Sequence, residues 1–330
     1  MRLVFMGTSE FAVPSLRALY DAGHTIAAVV TRPDRPRRRQ SDRPAPSPVK
    51  KAALPLGLPV LDPAAVREPG FADRLKELTP EIMVVVAYGQ ILPPEILDIP
   101  PRGCINLHAS LLPKYRGAAP IARALMAGEK ITGVTTMKMN AGVDTGDILL
   151  QRDCPVGIGD TTGELTPRLA ALGAPLLVET IDRIGRGILE PRRQDQAEAS
   201  AAPPLKKEDG LIDWTAGAES IANCVRACNP WPVAHTAHRG AIVQILRAEV
   251  SFRPPPDLNK ETGPRAAAAR PVPGQILAGG GGRLIVACQG ESRLEILEMR
   301  FPGGRAISAR DAVNGRLVRA GEILGATVAG

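Results

Sequence analysis

The sequence predicts an α/β protein, with a doubly wound, mostly parallel sheet followed by a small C-terminal β-barrel. Three observations carry that expectation. At 330 residues the chain exceeds the ~100–200 residues of one ordinary domain. From the first residue, short apolar runs alternate with helical stretches, the pattern of a parallel sheet with crossover helices. The last third instead sets short strands between glycine-rich turns, as small antiparallel barrels do.

Taken in order, residues 2–7 read as a buried strand, Gly7-Thr8-Ser9 as the turn into a helix over 10–22, and 25–30 as a second strand. Helices are expected at 48–57 and 71–79. The β-branched run at 82–86 is the most emphatic strand, and a short one at 105–107 leaves a Pro-Arg-Gly turn. A helix at 119–127 and a strand at 132–138 follow. Residues 161–186 suit one long helix that Pro167, Gly173 and Pro175 should bend or split. Beyond it, 187–209 loses periodicity and carries Pro191, Pro203 and Pro204. A helix at 216–227 then precedes strands at 241–246, 284–288 and 294–299, interrupted by a low-complexity loop at 253–273 and a glycine turn at 279–282. The expected domains are 1–190 with a basic arm at 31–48, a linker at 191–209, and the barrel at 210–330.

Composition narrows the function classes. At 44% hydrophobic and 23% charged residues the chain is neither disordered nor fibrous. The strongest apolar run, 82–87, falls far short of the ~20 residues a membrane helix needs. The N-terminus meets Thr8, Ser9 and Glu10 too early for a secretory signal. Five cysteines without a Cys-x-x-Cys pair argue for reduced thiols and a cytoplasmic location.

The net charge of +7 is uneven. Residues 31–51 hold eight Lys or Arg against Asp34 and Asp42, and 205–330 hold sixteen basic against twelve acidic residues. The rest of the chain is therefore −3. Two basic regions suggest two contacts on one polyanion, with nucleic acid the leading candidate. A lone arginine run is more often a solvated loop. Here Pro33, Pro36, Pro44, Pro46 and Pro48 stiffen the segment into an exposed arm.

Some patterns are set aside. Gly7 invites a dinucleotide reading, but the following Thr8-Ser9-Glu10-Phe11-Ala12 lacks the further glycines of Gly-x-Gly-x-x-Gly. Cys224, Cys228, His235 and His238 imitate zinc ligands, yet only six residues separate the pairs, where zinc fingers use about twelve. Two buried cysteines and two surface histidines are the better reading.

The chemistry concentrates at 105–120. Asn106 and His108 are two apart at a strand end, so both side chains share one face. Strand carboxyl ends are where ligands bind in parallel sheets. Asp144, bracketed by Gly142 and Gly146 after the next strand, can face the same crevice and orient the imidazole. A core histidine and a turn aspartate are the ordinary explanation of either residue alone. Three polar groups on adjacent strand ends make it weaker.

The segments MRLVFMGTSEFAVPSLRAL, INLHASLLPKYRGAAPI and GVTTMKMNAGVDTGDIL closely resemble the 10-formyltetrahydrofolate-dependent formyltransferases. The flanks TRPDR and PSPVK, with IDW and NPWP later, are similar to the branch that formylates methionyl initiator tRNA. The resemblance implies a Rossmann-like catalytic domain and an OB-like barrel. It also implies catalytic roles for Asn106, His108 and Asp144. It places folate contacts on Ser110, Leu111, Leu112 and Pro113 and on Val86, Tyr88 and Gly89. It assigns tRNA contacts to Arg37, Arg38, Arg39 and Arg43 of the arm and to Lys206 and Lys207. The donor would be 10-formyltetrahydrofolate and the partner initiator methionyl-tRNA, with no metal, membrane or obligate protein partner. This arm lacks the glycines that usually surround its key arginine. The rivals are a formyltransferase acting on a sugar nucleotide or another amine, and a non-catalytic tRNA-binding protein.

Overall fold

The computed structural model describes residues 1–34, 45–252, 270–277 and 280–325. Arg37, Arg38, Arg39 and Arg43 lie outside the described residues, as does most of the 253–273 loop. The chain divides into two compact units. One comprises residues 1–120, 131–156 and 165–203, the other 121–130, 157–164 and 204–330.

The first unit is built on a seven-stranded sheet. Its strands are β1 (Arg2–Gly7), β2 (Thr25–Val30), β3 (Val60–Leu61), β4 (Ile82–Val86), β5 (Cys104–His108), β6 (Ile131–Lys138) and β7 (Ile148–Pro155), in the order β3-β2-β1-β4-β5-β6-β7. The first five in that order run parallel, while β6 is antiparallel to both β5 and β7. The sheet is thus mostly parallel, as expected. β1 and β4 are central and covered on both faces, which is why they read as unbroken apolar runs. Val4, Met6, Met83 and Val85 pack with Phe71 and Leu75 of α3 (Phe71–Glu77) and with Ile96 of α4 (Pro94–Leu97).

Helix α1 (Val13–Asp21) follows a single 3₁₀ turn after β1, and α2 (Pro48–Ala53) is capped by the Ser47 hydroxyl, which accepts from Lys50 N at 3.0 Å. Helix α5 (Pro120–Met126) and helix α6 (Thr162–Arg186) complete the elements of the first two-thirds. The expected break in α6 does not occur, and Pro167 and Pro175 lie inside one helix. Its buried stripe includes Leu165, Leu169, Leu176, Leu177 and Ile181. At roughly 1.5–3 kcal/mol for each such side chain, that stripe outweighs the ~3 kcal/mol of each interior proline. Gly173 is a packing device, since a Cβ there would lie 2.7 Å from Leu107 of β5.

The second unit carries α7 (Ala218–Ala227), β8 (Ala234–His238), β9 (Ala241–Val250), β10 (Ile276–Leu277), β11 (Leu284–Ala287), β12 (Arg293–Arg300), β13 (Ala306–Ser308) and α8 (Ala309–Asn314). The strands pair antiparallel in the order β10-β11-β12-β9-β8, with β13 on β12. Among the described residues no pairing joins β8 to β10, so the expected barrel is a half-barrel. Ile221, Val225 and Cys228, spaced four and three apart, share one core with Val243, Ile245, Ile296 and Met299. Trp214 is 5% exposed and its indole donates to Thr236 Oγ1 at 2.9 Å.

His238 corrects an expectation. It is buried, with Nε2 2.9 Å from Glu322 Oε2, and Arg239 donates to the other carboxylate oxygen. Burial pushes the Glu322 carboxyl up, but hydrogen bonds from Arg239 and His238 outweigh it and hold the group down to about 2. A carboxyl depressed below its unfolded value of ~4.3 adds stability that is complete above that value and is lost as pH falls through the folded one. At ~1.36 kcal/mol per pKa unit the contribution at neutral pH is on the order of 2–3 kcal/mol. Glu322→Gln is therefore expected to lower the thermal midpoint at pH 7, and the deficit should close between roughly pH 4 and pH 2. A deficit that stays constant down to pH 2 would mean the loss is steric.

Candidate active site

Strand alternation puts Asn106 and His108 on one face of β5, with Leu107 directed at α6 on the other. The loop between β6 and β7 begins beside the amino end of β5, where Met139 N donates to Cys104 O at 2.8 Å. It then folds back over that strand. Asp144 was expected to follow the next strand and face the same crevice, and the antiparallel hairpin of β6 and β7 delivers it there. Close backbone approaches at two glycines shape this loop and the one after β5. A Cβ on Gly146 would lie 1.8 Å from the Lys138 carbonyl, and Gly117 sits at φ +126° with its Cβ position 2.5 Å from Ala202 O.

The three predicted polar groups meet. Asn106 Nδ2 donates to Asp144 Oδ1 at 3.3 Å, and His108 Nδ1 lies 3.6 Å from Asp144 Oδ2. Gly117 N donates to the same Oδ2 at 2.9 Å. His108 Nε2 is 2.9 Å from the Tyr115 carbonyl oxygen. Both ring nitrogens thus face acceptor oxygens, Nε2 at hydrogen-bond distance and Nδ1 at ion-pair distance. The His108 and Asp144 side chains are only 6% and 16% exposed, so their electrostatics are weakly screened by water. Asn106 gives one amide hydrogen to Asp144 and has a second to donate.

The turn after β5 is internally braced. Ser110 Oγ donates to Lys114 O at 2.6 Å, Thr135 Oγ1 donates to Ser110 O at 2.7 Å, and Gln151 Nε2 donates to Leu112 O at 2.8 Å. Ser110 and Leu112 are buried, leaving Leu111 and Pro113 as the partly exposed surface of this turn. At the end of β4, Val86 and Tyr88 are buried and Gly89 is exposed in the left-handed region at φ +84°. Burial pushes the Tyr88 phenol up to about 12, partly countered by Arg32, so it remains a neutral donor. Tyr88 Oη and Gln90 Nε2 are buried without hydrogen-bond partners among the described residues.

Residue 194 was hidden in the aperiodic stretch expected to be a linker. Residues 187–203 belong to the first unit, and Gln194 Nε2 donates to Asp144 O and Gly146 O at 2.8 and 2.7 Å. Lys206 and Lys207 are exposed in the second unit. Cys224 and Cys228 both donate to Asp209 O, at 3.4 and 3.5 Å. Among the described residues no group of three or more His, Cys, Asp or Glu side chains is arranged to hold a metal.

Residues 1–181 match the formyl transferase family and residues 204–317 the formyl transferase C-terminal domain. The chain belongs to the formyl transferase family. This formyl transferase is 50% identical to the methionyl-tRNA formyltransferase of Heliobacterium modesticaldum, over 97% of the chain and 99% of the relative. It is 47% identical to that of Pelotomaculum thermopropionicum, over 98% and 99%. Its fold is also that of an N-formyltransferase from Helicobacter canadensis solved with folinic acid and dTDP-3-aminofucose. The TM-score is 0.63 at 17% identity, covering 89% of this chain and 98% of that one. No helix among the described residues is long and apolar enough to cross a membrane.

Proposed function

We propose that this enzyme passes the formyl group of 10-formyltetrahydrofolate to the α-amine of the methionine esterified to initiator tRNA, in the cytoplasm where translation begins. The observation that carries the reading is its near full-length identity to enzymes of that name, which extends through both units. The folate supplies a formyl carbon bonded to its N10. The acceptor amine titrates at ~7.7–8.0, so near neutral pH much of it must first lose a proton.

The residues at β5 take defined roles. As the amine adds to the formyl carbon, charge grows on the formyl oxygen, and the unspent Asn106 amide hydrogen stabilises it. His108 donates beside it and carries the proton that N10 takes as the C–N bond breaks. Asp144 holds the ring in register. The amine loses one proton and N10 gains one, so the exchange balances.

The acceptor is large and anionic, and the basic regions suit it. Arg37, Arg38, Arg39 and Arg43 of the arm, with Lys206 and Lys207, would touch phosphates, which fix position without reading sequence. Replacing Arg38 and Arg39 together with alanine is expected to raise the KM for tRNA. It should also flatten the slope of log affinity against log salt by about 0.7–0.9 for each phosphate left without its arginine. An unchanged slope would detach those arginines from the RNA.

The reading is tested by formyl transfer from 10-formyltetrahydrofolate to charged initiator tRNA, free methionine and nucleotide-linked amino sugars. Formylation of the charged tRNA is expected to exceed the others by orders of magnitude. Activity confined to the amino sugars would replace the acceptor, and activity on none would favour a binding protein.

A further inference from the structure

Gln194 lies outside any helix or strand, yet it is only 7% exposed. Its amide nitrogen donates to Asp144 O and Gly146 O, while its amide oxygen accepts from Arg116 Nε at 2.9 Å. Both hydrogens and the oxygen are therefore in use. The segment that carries it is fixed on either side. Arg192 exchanges two backbone hydrogen bonds with Ile148, each 2.8 Å. Ser200 O accepts from Arg116 N at 2.8 Å, and its hydroxyl accepts from Tyr115 N at 2.9 Å.

These hydrogen bonds reach His108 from both of its ring nitrogens. The loop gripped at Asp144 and Gly146 presents the carboxylate to Nδ1. The loop gripped at Arg116 presents Tyr115 O to Nε2 and Gly117 N to the carboxylate. Asp144 itself sits at φ +50°, a region that non-glycine residues seldom occupy, so its loop needs an external hold. We infer that Gln194 is a positioning residue for formyl transfer. One buried amide clamps the two loops together and so sets the placement of Asp144 against His108. The inference rests on the catalytic reading given above. Because Gln194 would touch no reacting atom, its loss acts on turnover and leaves substrate binding nearly intact.

Gln194→Met removes three hydrogen bonds at similar volume. The expected result is a fall in kcat of about 10- to 100-fold, the scale of a small misplacement of catalytic groups. KM for both substrates should stay within about threefold. In an Asp144→Ala background the same substitution should change the single-turnover rate by less than about twofold, since the residue it acts through is gone. Wild-type kcat in the single variant, or an equal loss in both backgrounds, would overturn the inference. If Gln194→Met does not fold, Gln194→Asn carries the same comparison, because its amide is one methylene too short to hold both loops. Wild-type inactivity toward charged initiator tRNA would remove the acceptor reading instead. The cycle would then run on whichever amine the wild type formylates, and its outcome would judge Gln194 alone.

Discussion

Replacing His108 with alanine is expected to lower turnover by roughly 10²–10⁴-fold, the usual worth of a positioned acid–base group. Affinity for tRNA should remain within about twofold of wild type, because the basic regions proposed to contact the RNA backbone are untouched. The structure explains why the chemical loss should be large. His108 is 5% exposed and its two ring nitrogens meet Tyr115 O and Asp144, so the ring is held in one place beside Asn106. Removing a buried ring also costs stability, on the order of 1–3 kcal/mol, which a thermal melt separates from the catalytic effect. Single-turnover formylation and tRNA binding measured on the same preparation decide the matter. Affinity falling as steeply as the rate would make His108 part of the acceptor surface.

What the sequence revealed and what it concealed follow from how each feature leaves a trace. Asn106 and His108 were legible because a strand has a period of two, which places them on one face whichever way the neighbouring strands run. Asp144 was legible through its glycines. Gly146 must approach the Lys138 carbonyl, and a Cβ on Gly142 would lie 2.2 Å from Thr145 Oγ1. The direction of β6 left no such trace, since period two is the same in either direction. β7 was missed because Ile148-Leu149-Leu150 gives way to the polar Gln151-Arg152-Asp153 without alternation. Gln194 was invisible for a related reason. A side chain that bonds to backbone carbonyls produces no periodicity, and its neighbours Arg193 and Asp195 are exposed and polar. Prolines in α6 misled because a local penalty is visible in sequence, whereas the burial that offsets it accumulates along the whole helix.

Asn106→Asp is expected to be more damaging than Asn106→Ala, and the order of the two tests the assigned role directly. Loss of one donor to a developing oxyanion typically costs ~10²–10³ in rate, or about 2.7–4 kcal/mol. Alanine incurs that loss and little else, because Asn106 is half-buried at the edge of the site. Aspartate incurs it too and adds a charge. Its carboxylate would stand where the amide nitrogen now lies 3.3 Å from Asp144 Oδ1, facing a second carboxylate and the growing negative charge on the formyl oxygen. Like charges that close repel strongly at a site with little water, and the repulsion increases as the reaction proceeds. Turnover should therefore rank wild type, then alanine, then aspartate, with folate affinity changed by only a few-fold because the charge it opposes forms only during transfer. Steady-state kinetics for the three proteins, with folate binding measured in parallel, give the ranking. An aspartate variant as active as the alanine variant would show that no negative charge develops beside residue 106, and the oxyanion role would pass to another donor.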